Sequence, residues 1–181
     1  MAHLSNKEFL PLNIAVLTVS DTRTEENDTS GQFLAESAAE AGHQVVEHLI
    51  VKDDVYQLRA VVSKWIASSN VQAVLVTGGT GFTLRDSTPE ALQVLFDKQV
   101  EGFGELFRQV SFAEIGSSTV QSRAIAGIAN GTVVFCMPGS TGACRTGWEQ
   151  IIRKQLDSTF RPCNFVPHLK TANIEYCETR S

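Results

Sequence analysis

The chain has 181 residues, 43% of them hydrophobic and 19% charged, with a formal net charge of −5. That is the make-up of one globular domain able to bury a core, and it excludes disordered, fibrous and collagen-like classes. With an acidic balance and no basic run, a general nucleic-acid binder is excluded too, so an anionic ligand has to be met locally, by backbone amides and single arginines. Met1 to Pro11 lack the apolar core of a secretory signal, and no stretch approaches a membrane span. A cytoplasmic protein with no membrane or nucleic-acid partner is expected. Cys136, Cys144, Cys163 and Cys177 show no C-x-x-C spacing, so reduced thiols are expected. His43 and His48 lie five apart while His3 and His168 are isolated, which does not suit a zinc site.

In chain order, Leu12 to Ser20 is a nearly unbroken apolar strand of the kind covered on both faces. Asp21 to Ser30 is polar and predicts an exposed loop. Gly31 to Ala41 carries Leu34, Ala38 and Ala41 at helical spacing, with Gly42 as its stop. Gln44 to Val51 returns as a strand, and Asp53 or Asp54 caps a helix with Val55, Leu58, Val62 and Trp65 on one stripe. A strand at 71–76 completes β-α-β-α-β, the pattern of a mostly parallel sheet with right-handed crossovers. Pro89 to Phe96 reads as a helix. Gly102 and Gly104 interrupt the pattern before a second helix at Glu105 to Ile115. Arg123 to Ala129 and Thr132 to Met137 flank Asn130-Gly131, a strong hairpin signal, so the sheet gains an antiparallel edge strand. A helix from Gly142 to Leu156 follows, with Trp148, Ile151, Ile152 and Leu156 on one side. The two tryptophans read as core. From Arg161 periodicity fades, and this tail is expected on the surface or against a neighbouring subunit.

The most informative stretch is Thr77-Gly78-Gly79-Thr80-Gly81-Phe82-Thr83-Leu84-Arg85-Asp86. A buried strand runs into three glycines, which bare main-chain amides to an anion. Thr88 as N-cap and Pro89 at the first helical position then open a helix near the turn. This is how a phosphate seat is built at the carboxyl end of a strand. No lysine follows Gly81, which excludes a Walker loop. The dinucleotide fingerprint G-x-G-x-x-G begun at Gly79 and Gly81 meets Leu84 at its third glycine, leaving a nucleotide-binding oxidoreductase as the weaker alternative. Met137-Pro138-Gly139-Ser140-Thr141-Gly142 also passes from strand to helix and offers a second seat, or simply a turn.

Asp21, Asp53, Asp54 and Asp86 fall at or just beyond strand ends, where hard carboxylate oxygens can hold Mg²⁺ against phosphate. Asp53 or Asp54 serves partly as a cap, and Asp86 shares its turn with the glycines. Arg23, Arg85 and Arg123 are candidate phosphate forks, each also readable as a surface charge.

Together these residues resemble the MoaB/MogA family of molybdenum-cofactor biosynthesis. The likeness rests on Ser20-Asp21, Thr77 to Gly81, Arg85-Asp86 with Thr88-Pro89-Glu90-Ala91, Glu101 to Glu105, Ser122-Arg123-Ala124 and Pro138-Gly139-Ser140. It spans residues 12–169, with 1–11 and 170–181 as terminal extensions. The ending, Cys144-Arg145 and Arg161 to Phe165 with Pro167-His168, is similar to the MoaB branch. The resemblance implies a three-layer α/β domain with helices on both faces of the sheet, assembled as a homotrimer or homohexamer, that binds molybdopterin. In active members the terminal phosphate of molybdopterin attacks the α-phosphate of ATP and Mg²⁺-pyrophosphate leaves. Asp53 and Asp86 match the catalytic, metal-holding aspartates. Ser20, Asp21, Thr77, Gly78, Gly79, Thr80, Gly81, Arg85, Ser122, Arg123, Pro138, Gly139 and Ser140 match substrate-binding positions. Transferase-type members often carry a lysine soon after the Pro-Gly turn, where this chain has Thr141-Gly142. A branch that binds the pterin without adenylylating it is the alternative the resemblance leaves open.

Overall fold

The structure is a computed structural model that describes residues 8–170, so His3 and Cys177 lie outside the described residues. Six strands form one sheet in the order β2-β1-β3-β6-β5-β4. In sequence they are β1 (Asn13–Val19), β2 (Gln44–Val51), β3 (Ala73–Thr77), β4 (Lys98–Gln99), β5 (Ile125–Ala129) and β6 (Thr132–Met137). The first four in sheet order run parallel, and β5 and β4 close it antiparallel. The two-residue β4, not β5, is the edge; it is too short to carry a sequence signal.

The unbroken apolar character of β1 has a direct cause. Ile14 and Val16 face one core while Ala15, Leu17 and Val19 face the other, so both sides of the strand are covered. On the first face lie α1 (Thr29–Glu40), α4 (Glu101–Ile115) and α5 (Thr141–Gly147) with its continuation. On the second lie α2 (Val55–Ala67) and α3 (Thr88–Leu92). The architecture is therefore the expected three-layer one. Trp65 and Trp148 are both core. Asn130 (φ 46°) and Gly131 (φ 69°) supply the two left-handed residues that a tight β5–β6 turn demands.

Four expectations are corrected. α1 starts at Thr29 rather than Gly31, because the Asp28 carboxylate caps it by accepting from the Gly31 amide at 3.0 Å. α4 begins at Glu101 and runs straight through Gly102 and Gly104. A Cβ on residue 104 would lie 2.6 Å from the Ala124 carbonyl, so glycine lets the helix press onto the chain entering β5. The closing helix is not uniform: α5 passes through a π-turn at Trp148–Ile152 before α6 (Arg153–Gln155). The turn keeps Trp148, Ile151 and Ile152 all buried. Finally, the segment after Arg161 packs on this chain's own core. Val166 and Leu169 are buried, and Phe165 meets Phe135 edge-on at 6.0 Å. Lys170 Nζ donates to the Ile66 carbonyl at 2.8 Å, at the end of α2.

Candidate functional site: a cleft at the strand ends

Parallel strands β1, β3 and β6 finish side by side, and the turns that follow them enclose a cleft of about 380 Å³. Of the residues singled out from sequence, Ser20, Thr77, Gly78, Gly79, Thr80, Gly81, Asp86, Ser122, Pro138 and Gly139 line it. Asp21, Asp53, Arg85, Arg123 and Ser140 stand just outside the lining. A Cβ on Gly139 would lie 3.1 Å from Gly78 Cα, so the two strand-end turns touch. Ser140 caps α5, accepting from the Ala143 amide at 3.2 Å.

Gly78 (φ +100°) and Gly79 (φ +63°) take backbone conformations that favour glycine, and this is where the turn needs it. All four carbonyls of the turn already have donors. Gly78 O accepts from the Thr88 hydroxyl at 2.8 Å and Gly79 O from the Thr88 amide at 2.9 Å. Thr80 O accepts from Arg123 Nε at 3.0 Å, and Gly81 O from Arg123 Nη2. The Gly78 amide continues the sheet ladder to the Met137 carbonyl at 3.0 Å, and the Gly81 amide is drawn to the Asp86 carboxylate. Among the described residues the amides of Gly79 and Thr80 alone in this turn have no partner. The three-glycine amide nest expected from sequence is thus a two-amide one.

The same bonds correct two side-chain roles. Thr88 is not the cap of α3 but its first residue, with Pro89 second; Ser87 holds the cap position without a side-chain capping bond. Thr88 spends its hydroxyl and amide on the glycine turn instead. Arg123 is no free phosphate fork. Besides the two turn carbonyls, its guanidinium donates to the Asp86 carbonyl at 3.2 Å, pairs with the Glu90 carboxylate and lies 5.1 Å from the Phe82 ring centroid. It holds the turn in shape. Arg85 is likewise paired, with Asp21 Oδ2 at 2.7 Å.

The two principal carboxylates sit in opposite electrostatic settings. Asp86 Oδ2 accepts from the Thr83 hydroxyl at 2.6 Å and the Thr83 amide at 2.9 Å. These bonds, with the Gly81 amide and the Arg123 charge, hold its carboxyl below the ordinary value of 3.8 despite partial burial. Asp53 Oδ1 accepts from both the Ser87 amide and hydroxyl, and its Oδ2 takes no hydrogen bond among the described residues. Burial raises its carboxyl above 3.8 against those two bonds, and the charges of Asp86 and Asp21 add to the rise. Asp54, not Asp53, is the cap of α2, which leaves Asp53 free to face the glycine turn.

A raised carboxyl holds its proton more tightly in the folded than in the unfolded chain. It therefore costs stability at neutral pH, a cost relieved as pH falls through the raised value. Asp53→Asn keeps an acceptor for both Ser87 bonds and removes the charge. The variant is expected to unfold in urea at no lower a midpoint than wild type at neutral pH, with any advantage closing towards pH about 4.

Beneath the cleft, Cys144 Sγ lies 3.1 Å from the Thr77 hydroxyl, and burial pushes its thiol up to about 11, which rules it out as a nucleophile. Cys136, Cys144 and Cys163 are free thiols. Among the described residues no group of three or more His, Cys, Asp or Glu side chains comes together to hold a metal ion, and no helix is long and apolar enough to cross a membrane.

Asp28, Ser118 and Gln121 shape the cleft without standing out in the sequence. Asp28 is fully buried and accepts from Thr18 Oγ1 at 2.6 Å, Ser30 Oγ at 3.3 Å and the Gly31 amide, with His48 Nε2 at 3.1 Å. Thr18 and Ser30 line the cleft floor, so this network fixes its shape. The signal was present as an Asp-x-Ser pair just ahead of a glycine-led helix, which is cap chemistry. Ser118 and Gln121 also line the cleft, as does Arg23, one of the arginines flagged from sequence.

A mostly parallel sheet with an amide-lined cleft at its strand ends and a carboxylate held ionised beside it defines a small α/β domain of the kind that binds an anionic ligand. The chain belongs to the family described as "Probable molybdopterin binding domain", whose model matches residues 15–158. It is 64% identical over 163 residues to molybdenum cofactor biosynthesis protein B of Escherichia coli (strain K12), covering 90% of this chain and 96% of that one. The crystal structure of a molybdenum cofactor biosynthesis protein B superposes with a TM-score of 0.79 at 48% identity, covering 81% of this chain and 92% of the other. The tungsten cofactor synthesizing protein MoaB from Pyrococcus furiosus gives 0.72 at 40% identity, covering 78% and 90%.

Proposed function

We propose that this member of the molybdopterin-binding family seats molybdopterin in the strand-end cleft and transfers AMP to its terminal phosphate from Mg-ATP. The observation that carries the reading is the pair of unpartnered amides, Gly79 and Thr80, beside an Asp86 carboxylate kept charged by its own turn. In such a transfer a terminal phosphate oxygen of the pterin forms a bond to the α-phosphorus of ATP. The bond from that phosphorus to the oxygen bridging to the β-phosphate breaks, and pyrophosphate leaves with the electron pair. No protein nucleophile is needed, only alignment and charge neutralisation.

In this reading the Gly79 and Thr80 amides seat one phosphate and the Gly139 turn adjoins the second. Asp53 and Asp86 would hold Mg²⁺. Their oxygen donors, with one Asp53 oxygen free of hydrogen bonds, fit a hard cation that takes its remaining ligands from phosphates and water. When bound, the ion offsets the negative charge of the leaving pyrophosphate. Arg123 keeps the glycine turn in shape, and Arg85, pinned by Asp21, borders the same carboxylates. A homotrimer or homohexamer is supported by exposed apolar side chains at Phe82, Leu84, Phe112, Ile115 and Val120. Sedimentation is expected to report such an assembly, and a monomer overturns it.

A second reading, a carrier that binds the pterin without turnover, is favoured by the second turn. There Thr141 meets the Thr29 hydroxyl at 2.8 Å, and among the described residues no cationic side chain hydrogen-bonds to it. One experiment separates the two. The protein is incubated with molybdopterin, ATP and Mg²⁺, and adenylylated pterin and pyrophosphate are quantified. Both products are expected in equal amounts; tight pterin binding with neither supports the carrier.

A further inference from the structure

The cleft must neutralise a ligand phosphate in a chain whose net charge is −5. Of the arginines flagged from sequence, Arg85 is paired with Asp21, and Arg123 is consumed by Glu90 and three carbonyls. Arg23 differs from both. It is the one cationic side chain lining the cleft among the described residues. Its Nη1 donates to the Asn27 carbonyl, while its Nε and Nη2 have no partner and no carboxylate lies within ion-pair distance among the described residues.

The loop around Arg23 is built, not loose. The Ser20 hydroxyl accepts from the amides of Thr22 (3.2 Å) and Arg23 (3.1 Å), and the Thr24 amide donates to Asn27 Oδ1 at 2.8 Å. Gln32, on α1, donates to the Glu25 carbonyl at 2.6 Å and ties the loop to that helix. One prong of the guanidinium is fixed to the loop, and the others have no partner among the described residues in a side chain that belongs to the cleft lining. That geometry suits a planar fork waiting for two phosphate oxygens.

We infer that Arg23 is the specificity-determining residue of the cleft, the side chain that pairs with the ligand's phosphate and makes binding depend on it. The inference rests on the pterin-binding reading and adds the group that reads the anion. The phosphate can belong to molybdopterin or to ATP, and the test distinguishes them. Wild type and Arg23→Gln, Arg23→Lys variants are titrated anaerobically with molybdopterin, with its dephosphorylated form and with ATP. Thermal midpoints verify that the exposed substitution leaves the fold intact.

Wild type is expected to prefer the phosphorylated pterin by about tenfold to a hundredfold, the worth of a charge-assisted pair. Arg23→Gln is expected to bind both pterins alike, with part of the preference kept in Arg23→Lys. A loss confined to ATP assigns the same pairing to the nucleotide phosphate. Discrimination by Arg23→Gln as strong as in wild type, with ATP affinity unchanged, overturns the inference and leaves the pterin reading standing. A wild type that binds neither pterin overturns that reading and the inference with it.

Discussion

On the proposed adenylyl-transfer reading, Asp86→Asn is expected to slow the reaction about a hundredfold, a loss on the order of 3 kcal/mol of transition-state stabilisation, while pterin affinity stays within about threefold. The asymmetry follows from how the side chain is held. Thr83 donates twice to Oδ2, and an asparagine oxygen in that place still accepts both bonds, so the turn and its two free amides keep their shape. What disappears is the negative charge beside the glycine turn, which in that reading would hold the Mg²⁺ that offsets the charge of the leaving pyrophosphate. Because the Thr83 bonds hold Asp86 below the usual carboxylate range, protonation of this group is not what limits the wild type down to mildly acidic pH. Single-turnover rates and equilibrium titrations on the same preparation separate the outcomes. Equal losses in both make Asp86 a shaper of the turn, and an unchanged rate removes it from the chemistry.

Gly31→Ala is expected to destabilise the protein by about 3 kcal/mol, read as a lower urea midpoint at unchanged slope. Gly31 lies in the first turn of α1, where alanine is ordinarily the better residue by about 1 kcal/mol. Here a Cβ would overlap Asp28 Oδ2 and Thr18 Oγ1 and come 2.5 Å from His48 Nε2. To make room, the fully buried Asp28 carboxylate must give up donors, and an uncompensated buried charge costs several kcal/mol. Gly102→Ala is the control. It too lies in the first turn of a helix, but no atom stands within 4 Å of its added carbon, so it is expected to gain about 0.5 kcal/mol. Loss of the Gly31→Ala effect in an Asp28→Asn background would identify the carboxylate as its source; persistence there points to plain crowding.

The sequence was most legible where a single physical signal decides the outcome. Residues 13–19 are apolar on both faces because helices cover both. Asn130-Gly131 allows one kind of turn, and Gly78-Gly79 takes up backbone angles that other residues resist. It was least legible where a distant partner decides. Asp28 looked like one more polar loop residue, since nothing local says that Thr18 and His48 arrive to bury it. Gly104 looked like a helix breaker until the Ala124 carbonyl supplied the reason for its missing side chain. Arg123 had the right charge for phosphate, but four of its five donors are claimed by carbonyls 37 to 43 positions away and by Glu90. Val166 and Leu169 are buried and Phe165 half-buried around a single 3-10 turn, a helix too short to show as a repeat in the sequence.

The described chain starts and stops at the opposite end of the sheet from the cleft. Leu12 donates its amide to His43 at the start of β2, and Lys170 donates its amide to the Gly131 carbonyl at the start of β6. Every strand-end turn that shapes the ligand pocket is consequently an internal loop. A fluorescent label or surface tether attached at the exposed Glu8, next to Phe9 on the His43 ring, begins its path from the base of the sheet. Immobilised kinetics can thus be run with the working rim facing the solution.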